Sequence, residues 1–196
     1  MVRRRRMVRR FEQKPIASDV LNRVLEAARH APSAGFSQGF DFVVLTEPEE
    51  LDWFCKTTDD PTDPDPFPGR DPAARPPCIV LPYANKRAYL ERYSQPDKIE
   101  FGMDKEDNWP VPFWTVDTAM AMLLILLTAV DEGLGAWYFG ITRGEEDVHH
   151  TLGVPADCKL LGVIAIGYPS PDDKPRGSVF TRRRRAFESM FHFGRW

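Results

Sequence analysis

Cysteine is scarce in this chain and badly placed for most of its uses. There are 3, at Cys55, Cys78 and Cys158. They are far apart, odd in number and in no metal spacing, so reduced thiols in a cytoplasm are expected rather than a disulfide framework or a zinc site. Histidine numbers only 4. His149 and His150 stand beside Glu145, Glu146 and Asp147, and a metal wants ligands three or four apart on one helix face, so the pair reads as solvated surface. His30 and His192 read as structural. No Walker loop, no Gly-x-Gly-x-x-Gly and no nucleophile elbow occurs. The basic start runs into Phe11-Glu-Gln-Lys-Pro15 instead of an apolar core, so no secretory signal is expected. Lacking a nucleophile, a metal set or an acid–base pair, the chain is expected to leave its chemistry to a bound cofactor.

Long hydrophobic runs are also few. The longest lies in residues 113–135 and ends in Gly133-Leu-Gly135. Its Ala, Leu and Met content favours helix, with Thr115 as cap, Asp117 in the first turn and the glycines as stop. Apolar residues from Ala119 to Val130 occupy all sides, which leaves no obvious solvent face and implies deep burial. The run falls short of the roughly 20 apolar residues a membrane span needs, and acids flank it. No membrane is expected.

What the chain has in quantity is sign-segregated charge. A formal net charge of −3 hides arginines at 3–10 and 182–185 and acids at 47–65 and 97–107. Arginine suits bidentate phosphate recognition, and each charge-assisted hydrogen bond contributes roughly 1.5–3 kcal/mol. Two solvated basic tails are the alternative. At 196 residues one domain with a sizeable core is expected.

Along the chain, Ser18 caps an amphipathic helix that Pro32 ends, and a strand follows at 40–46. Helices are expected at 48–56, 86–93 and 144–152, and strands at 78–83, 136–139 and 160–169. Residues 57–77 are dense in Pro and Asp and read as a surface loop, a candidate cover for a pocket together with 89–93. The C-terminal aromatics Phe187, Phe191, Phe193 and Trp196 are too apolar for a free tail and should dock, plausibly on a second subunit.

Four stretches in order resemble the FMN-dependent nitroreductase family. Arg5-Arg-Met-Val-Arg-Arg-Phe11 is similar to its N-terminal Arg-x-Ser-x-Arg segment, and Ala27-Ala-Arg-His-Ala-Pro-Ser-Ala-Gly-Phe-Ser-Gln38 to its Ala-Pro-Ser-x-x-x-x-Gln loop. Residues 117–140 resemble its long helix, Gly-Leu-Gly turn and strand. Ile164-Ala-Ile-Gly-Tyr-Pro169, the later arginines and His192-Phe-Gly-Arg-Trp196 resemble its close.

That resemblance implies an α+β fold, a three-layer α/β/α sandwich with a mainly antiparallel central sheet and the long helix, about 113–134, at a homodimer interface. It implies one domain over 1–196, whose tail from about 170 embraces the partner. Two FMN molecules would lie between the subunits. Arg5, Arg6 and Arg9 would contact the phosphate and the polar ring edge, with Met7 contributing backbone. Pro32, Ser33, Ala34, Gly35 and Gln38 would reach the same flavin from the partner chain. Phe139, Gly140 and Ile141 would lie along the ring, and Arg182 and Arg184 would close on the phosphate. No side chain is implied as a catalytic group, and no metal. The implied reaction uses NADH or NADPH to reduce a flat acceptor, a nitroaromatic or a quinone, by a ping-pong mechanism. Met7, Phe36 and Phe139 depart from the family pattern. Alternatives are a flavin-fragmenting, dimethylbenzimidazole synthase-like enzyme, a non-catalytic flavin-binding protein, and a nucleic-acid module using the arginines.

Overall fold

The computed structural model describes residues 1–60, 62, 71–174 and 177–196. Much of the expected loop at 57–77 therefore lies outside the described residues. A five-stranded sheet runs in the order β1-β2-β5-β3, with β4 also on β2. The strands are β1 (Phe40–Leu45), β2 (Cys78–Asn85), β3 (Gly135–Phe139), β4 (Cys158–Leu160) and β5 (Val163–Gly167). All of these pairings are antiparallel.

β2 shows why the fold has three layers. Side chains alternate along a strand, so its even and odd residues serve opposite faces. Cys78 and Val80 join a core with Val24, Ala121, Ile125 and Ala129. Those come from α1 (Ser18–Glu26) and α4 (Phe113–Asp131). Ile79, Leu81 and Tyr83 instead pack with Leu51, Phe54 and Val148, which belong to α2 (Pro48–Thr58) and α5 (Glu145–Leu152). α3 (Lys86–Tyr93) follows β2 directly, capped by the Asn85 side chain.

Four local expectations need correction. The single strand at 160–169 is two, because the register against β2 slips by one between Leu160 and Ile164. That slip is a bulge at Leu161 and Gly162. It faces Pro82, whose carbonyl accepts the Leu161 amide at 3.0 Å but whose ring nitrogen has no hydrogen to return. Ser18 is the first residue of α1 and caps nothing; the N-cap is Ala17. Thr115 lies inside α4, whose N-cap is Pro112. His149 is half-buried, its ring tilted against Tyr83 at 5.4 Å, so only His150 is solvated.

α4 starts where expected, at Phe113, and ends at Asp131, three residues short of the expected 134. By length and composition alone it could cross a membrane. It is also two-sided, contrary to the expectation of burial all round. Ala121, Ile125 and Ala129 are fully buried, whereas Val116 and Leu123 are 41% and 49% exposed. These last two are seven residues apart and so share one stripe. Among the described residues no other segment covers that stripe.

The thiols are inert by placement. Cys55, Cys78 and Cys158 are all free and buried. Burial pushes Cys55 and Cys78 up to about 12 and raises Cys158 as well. The thiolate is the reactive form. The folded protein at pH 8 is therefore expected to leave a chromogenic thiol reagent colourless, and guanidinium to release all 3 thiols. Fast titration of any thiol in the native state would contradict this packing.

Candidate functional site

The N-terminal arginines are held in an extended segment along the free edge of β3. Met7 bridges Ala136 in parallel, and the Val8 amide donates to the Ala136 carbonyl at 3.0 Å. Val8 and Phe11 are buried against Trp137 and Ala165. The close approach needs Gly135, where a Cβ would come within 2.6 Å of Val8. The clamp is Asp173, a buried carboxylate. It accepts the amides of Arg9 and Arg10 at 2.8 and 3.0 Å and pairs with the Arg6 guanidinium. Arg10 pairs with Asp71 at 2.7 Å, and Arg4 reaches Asp131 at the end of α4.

Extended backbone turns alternate residues to opposite sides. Arg6 is thus committed to Asp173, while Arg5, Met7 and Arg9 share the other side. The Arg5 guanidinium touches the Met7 sulfur at 3.6 Å, and that of Arg9 lies over the Trp137 ring at 5.1 Å. A Cβ on Gly177 would stand 3.6 Å from an Arg9 nitrogen, so the C-terminal segment starts beside Arg9. Arg182 and Arg184 follow on exposed backbone just after the short helix Ser178–Thr181.

β3 delivers the next group. Phe139 is half-buried, its ring tilted against Trp137 at 4.6 Å. A Cβ on Gly140 would meet nothing within 4 Å, so space opens beside the backbone there. Ile141 packs inward against the α2–α5 core. Thr142 donates to Asp60 at 2.9 Å, which ties this turn to the start of the acidic loop.

The loop at 32–38 is strained and firmly held. Gly35, Phe36 and Gln38 all have φ between +51° and +60°. For Phe36 and Gln38 that conformation costs about 1–3 kcal/mol each. The Ser33 hydroxyl accepts the Gln38 amide at 3.0 Å. The Ala34 amide donates to Asp117 at 2.8 Å, and Arg92 donates to the Gly35 carbonyl at 2.9 Å. Pro32, Phe36 and Gln38 face outward.

One copy does not unite these groups. Ala34 is bonded to Asp117 near the start of α4, and Arg4 is paired with Asp131 at its end. Fourteen helical residues at 1.5 Å each separate those anchors by about 21 Å. A cleft of about 660 Å³ beside Ile16, Pro48 and Pro77 contains none of the predicted residues. The two aspartates that hold both halves, Asp117 and Asp173, carry no local signature of a site.

The donor set fits a flavin nucleotide. Arginines 5 and 9 sit on one side of the segment, as a dianionic phosphate requires, and open space at Gly140 beside an aromatic residue suits a flat ring approaching backbone.

Comparison with known proteins gives a family model described as the nitroreductase family, which matches residues 2–168. An NADPH-dependent oxidoreductase of Staphylococcus saprophyticus is 23% identical over 200 residues, covering 96% of this chain and 70% of that protein. An FMN-dependent nitroreductase of Clostridium difficile R20291 has a similar fold, with TM-score 0.67, 19% identity and full coverage of both chains. A nitroreductase family protein of Clostridium novyi NT gives TM-score 0.66 and 21% identity over 89% of this chain and 86% of that one.

Proposed function

The chain belongs to the nitroreductase family, and from that premise we propose that it is an FMN-dependent oxidoreductase using NADH or NADPH to reduce a flat aromatic acceptor. Bound FMN would supply the redox chemistry, accepting hydride from the nicotinamide donor and returning electrons to the acceptor. The protein's residues bind and orient. Arg5 and Arg9 hold the phosphate, joined by Arg182 and Arg184 from the C-terminal segment. Arg6 acts one step back, keeping its neighbours on Asp173. Phe139 and Gly140 border the ring, with Ile141 fixing their turn in the core. Donor and acceptor take turns at one open face, which is a ping-pong scheme. No side chain need act as nucleophile or base.

The working unit in this reading is a homodimer. Its support is the exposed stripe through Val116 and Leu123, together with C-terminal aromatics that lie open, Trp196 being 99% exposed. Apolar surface of this extent on a monomer marks an interface. A second copy packed on α4 brings its loop at 32–38 to the first copy's arginines, with Pro32, Ser33, Ala34, Gly35 and Gln38 completing the site.

The observation that carries the proposal is the family match over 2–168 combined with the Arg9 guanidinium lying over Trp137, on the same side of the segment as Arg5. Purified protein is expected to be yellow, or to become so with FMN, and anaerobic NADH or NADPH to bleach it. A protein that takes up no FMN at excess would overturn the reading. A colour that neither nucleotide bleaches would leave a flavin-binding protein without turnover.

A further inference from the structure

Asp117 is buried where burial is expensive. It is 2% exposed, in the second turn of α4. A carboxylate kept out of water needs partners that justify it. One oxygen, Oδ2, accepts both the Ala34 amide and the Tyr89 hydroxyl, each at 2.8 Å. Burial first, and that hydrogen bond second, raise the Tyr89 phenol well above its usual range, so it stays a donor.

Tyr89 is itself fixed. Its ring meets Trp109 and Trp114 edge-on at 5.8 and 6.2 Å. One turn along α3, Tyr93 packs against Trp109 at 4.8 Å. The loop rests on this bed with little clearance: a Cβ at Gly35 would come within 2.7 Å of the Tyr93 ring, and one at Gly39 within 2.7 Å of the Asn85 carbonyl. On the other flank Arg92, oriented by Asp97 at 2.7 Å, donates to the Gly35 carbonyl. Every anchor grips the inner side of the loop. The outer side stays bare, with Phe36 71% exposed.

We infer that Asp117, with Tyr89 and Arg92, is a positioning device that holds residues 33–38 in a fold with Gly35, Phe36 and Gln38 at positive φ, so that their outer surface completes the cofactor site of a second copy. The inference rests on the proposed FMN reading. Left to itself, a stretch with Phe36 and Gln38 at positive φ relaxes to ordinary backbone. The two side-chain clamps oppose that. Asp117 fixes the entry to the strained segment by its Ala34 bond, and Arg92 fixes the next residue. Neither side chain touches the flavin in this scheme.

The test uses the full-length protein, freed of flavin and titrated with FMN, alongside hydrogen exchange of the loop amides. Asp117→Ala is expected to weaken FMN binding at least tenfold and to speed exchange at 34–38, with exchange in β2 and β5 unchanged. Asp117→Asn keeps an oxygen for both donors and is expected to bind within about threefold of wild type. Arg92→Ala, on a partly exposed residue that leaves the core intact, is expected to weaken binding about fivefold with faster loop exchange. If Asp117→Ala does not fold, the Arg92 variant decides. Wild-type affinity in Arg92→Ala, or an Asp117→Asn as weak as the alanine variant, overturns the inference. If wild-type protein itself takes up no FMN, the functional reading fails instead, and loop exchange in Arg92→Ala still shows whether the clamp exists.

Discussion

Replacing Arg5 and Arg9 together by alanine is expected to strip the protein of FMN while leaving it folded. Two charge-assisted hydrogen-bonding groups at roughly 1.5–3 kcal/mol each amount to about 3–6 kcal/mol. At about 1.4 kcal/mol per tenfold, that is a loss of about 100-fold or more in affinity. Flavin content after gel filtration and direct titration both read it. The fold survives because the segment does not depend on those two guanidiniums. Val8 and Phe11 are buried, and the backbone amides of Arg9 and Arg10 remain on Asp173. The change does remove the Arg9 contact over Trp137, worth about 0.5–1 kcal/mol, so a slight fall in melting temperature is expected. Asp173→Ala is the contrasting control. It strands two amides and the Arg6 guanidinium, at about 1–3 kcal/mol for each buried donor left unpaired, so stability and flavin fall together. Unchanged flavin content in the double arginine variant would show that the phosphate lies elsewhere.

The elements readable in the sequence are those whose signal is local. α3 begins and ends where expected, at Lys86 and Tyr93, and α2 and β1 differ only at their ends. Periodicity and the Pro48 boundary suffice there. The bulge at Leu161 and Gly162 was illegible because its cause is Pro82, across the sheet and nearly eighty residues earlier. The two faces of α4 were illegible for another reason. Its composition is apolar everywhere, so nothing distinguishes Leu123, which is exposed, from Ile125, which is not. That difference belongs to the packing of α1 and the sheet.

The site divides in the same way. Arg5, Arg9 and the loop at 32–38 are nominated by the sequence because arginine spacing and small residues carry the family pattern. Asp117 and Asp173 were missed as clamps. Asp173 sits among ordinary polar residues and Asp117 reads as an acid near the start of the long helix, and burial turns both into anchors. Arg6 looked equivalent to Arg5, yet alternation of an extended chain sends it to Asp173.

The separation of the two half-sites along α4 gives the second large effect, in a mixing experiment. One variant carries Arg5→Ala with Arg9→Ala; the other carries Asp117→Ala. In either homodimer both sites have one damaged half, so both bind FMN poorly. If each site takes arginines from one copy and the loop from the other, the mixed dimer is different. One of its sites receives both defects, and the other receives neither. Co-expressed with two affinity tags and purified through both, the mixed dimer is expected to hold one FMN per dimer at wild-type affinity, while each homodimer holds little. If one copy supplied both halves, every site in the mixed dimer would keep one defect and no tight site would appear. The about 21 Å of helix between the anchors makes restoration the expected result. A mixed dimer as empty as its parents would show that the second copy does not complete the site.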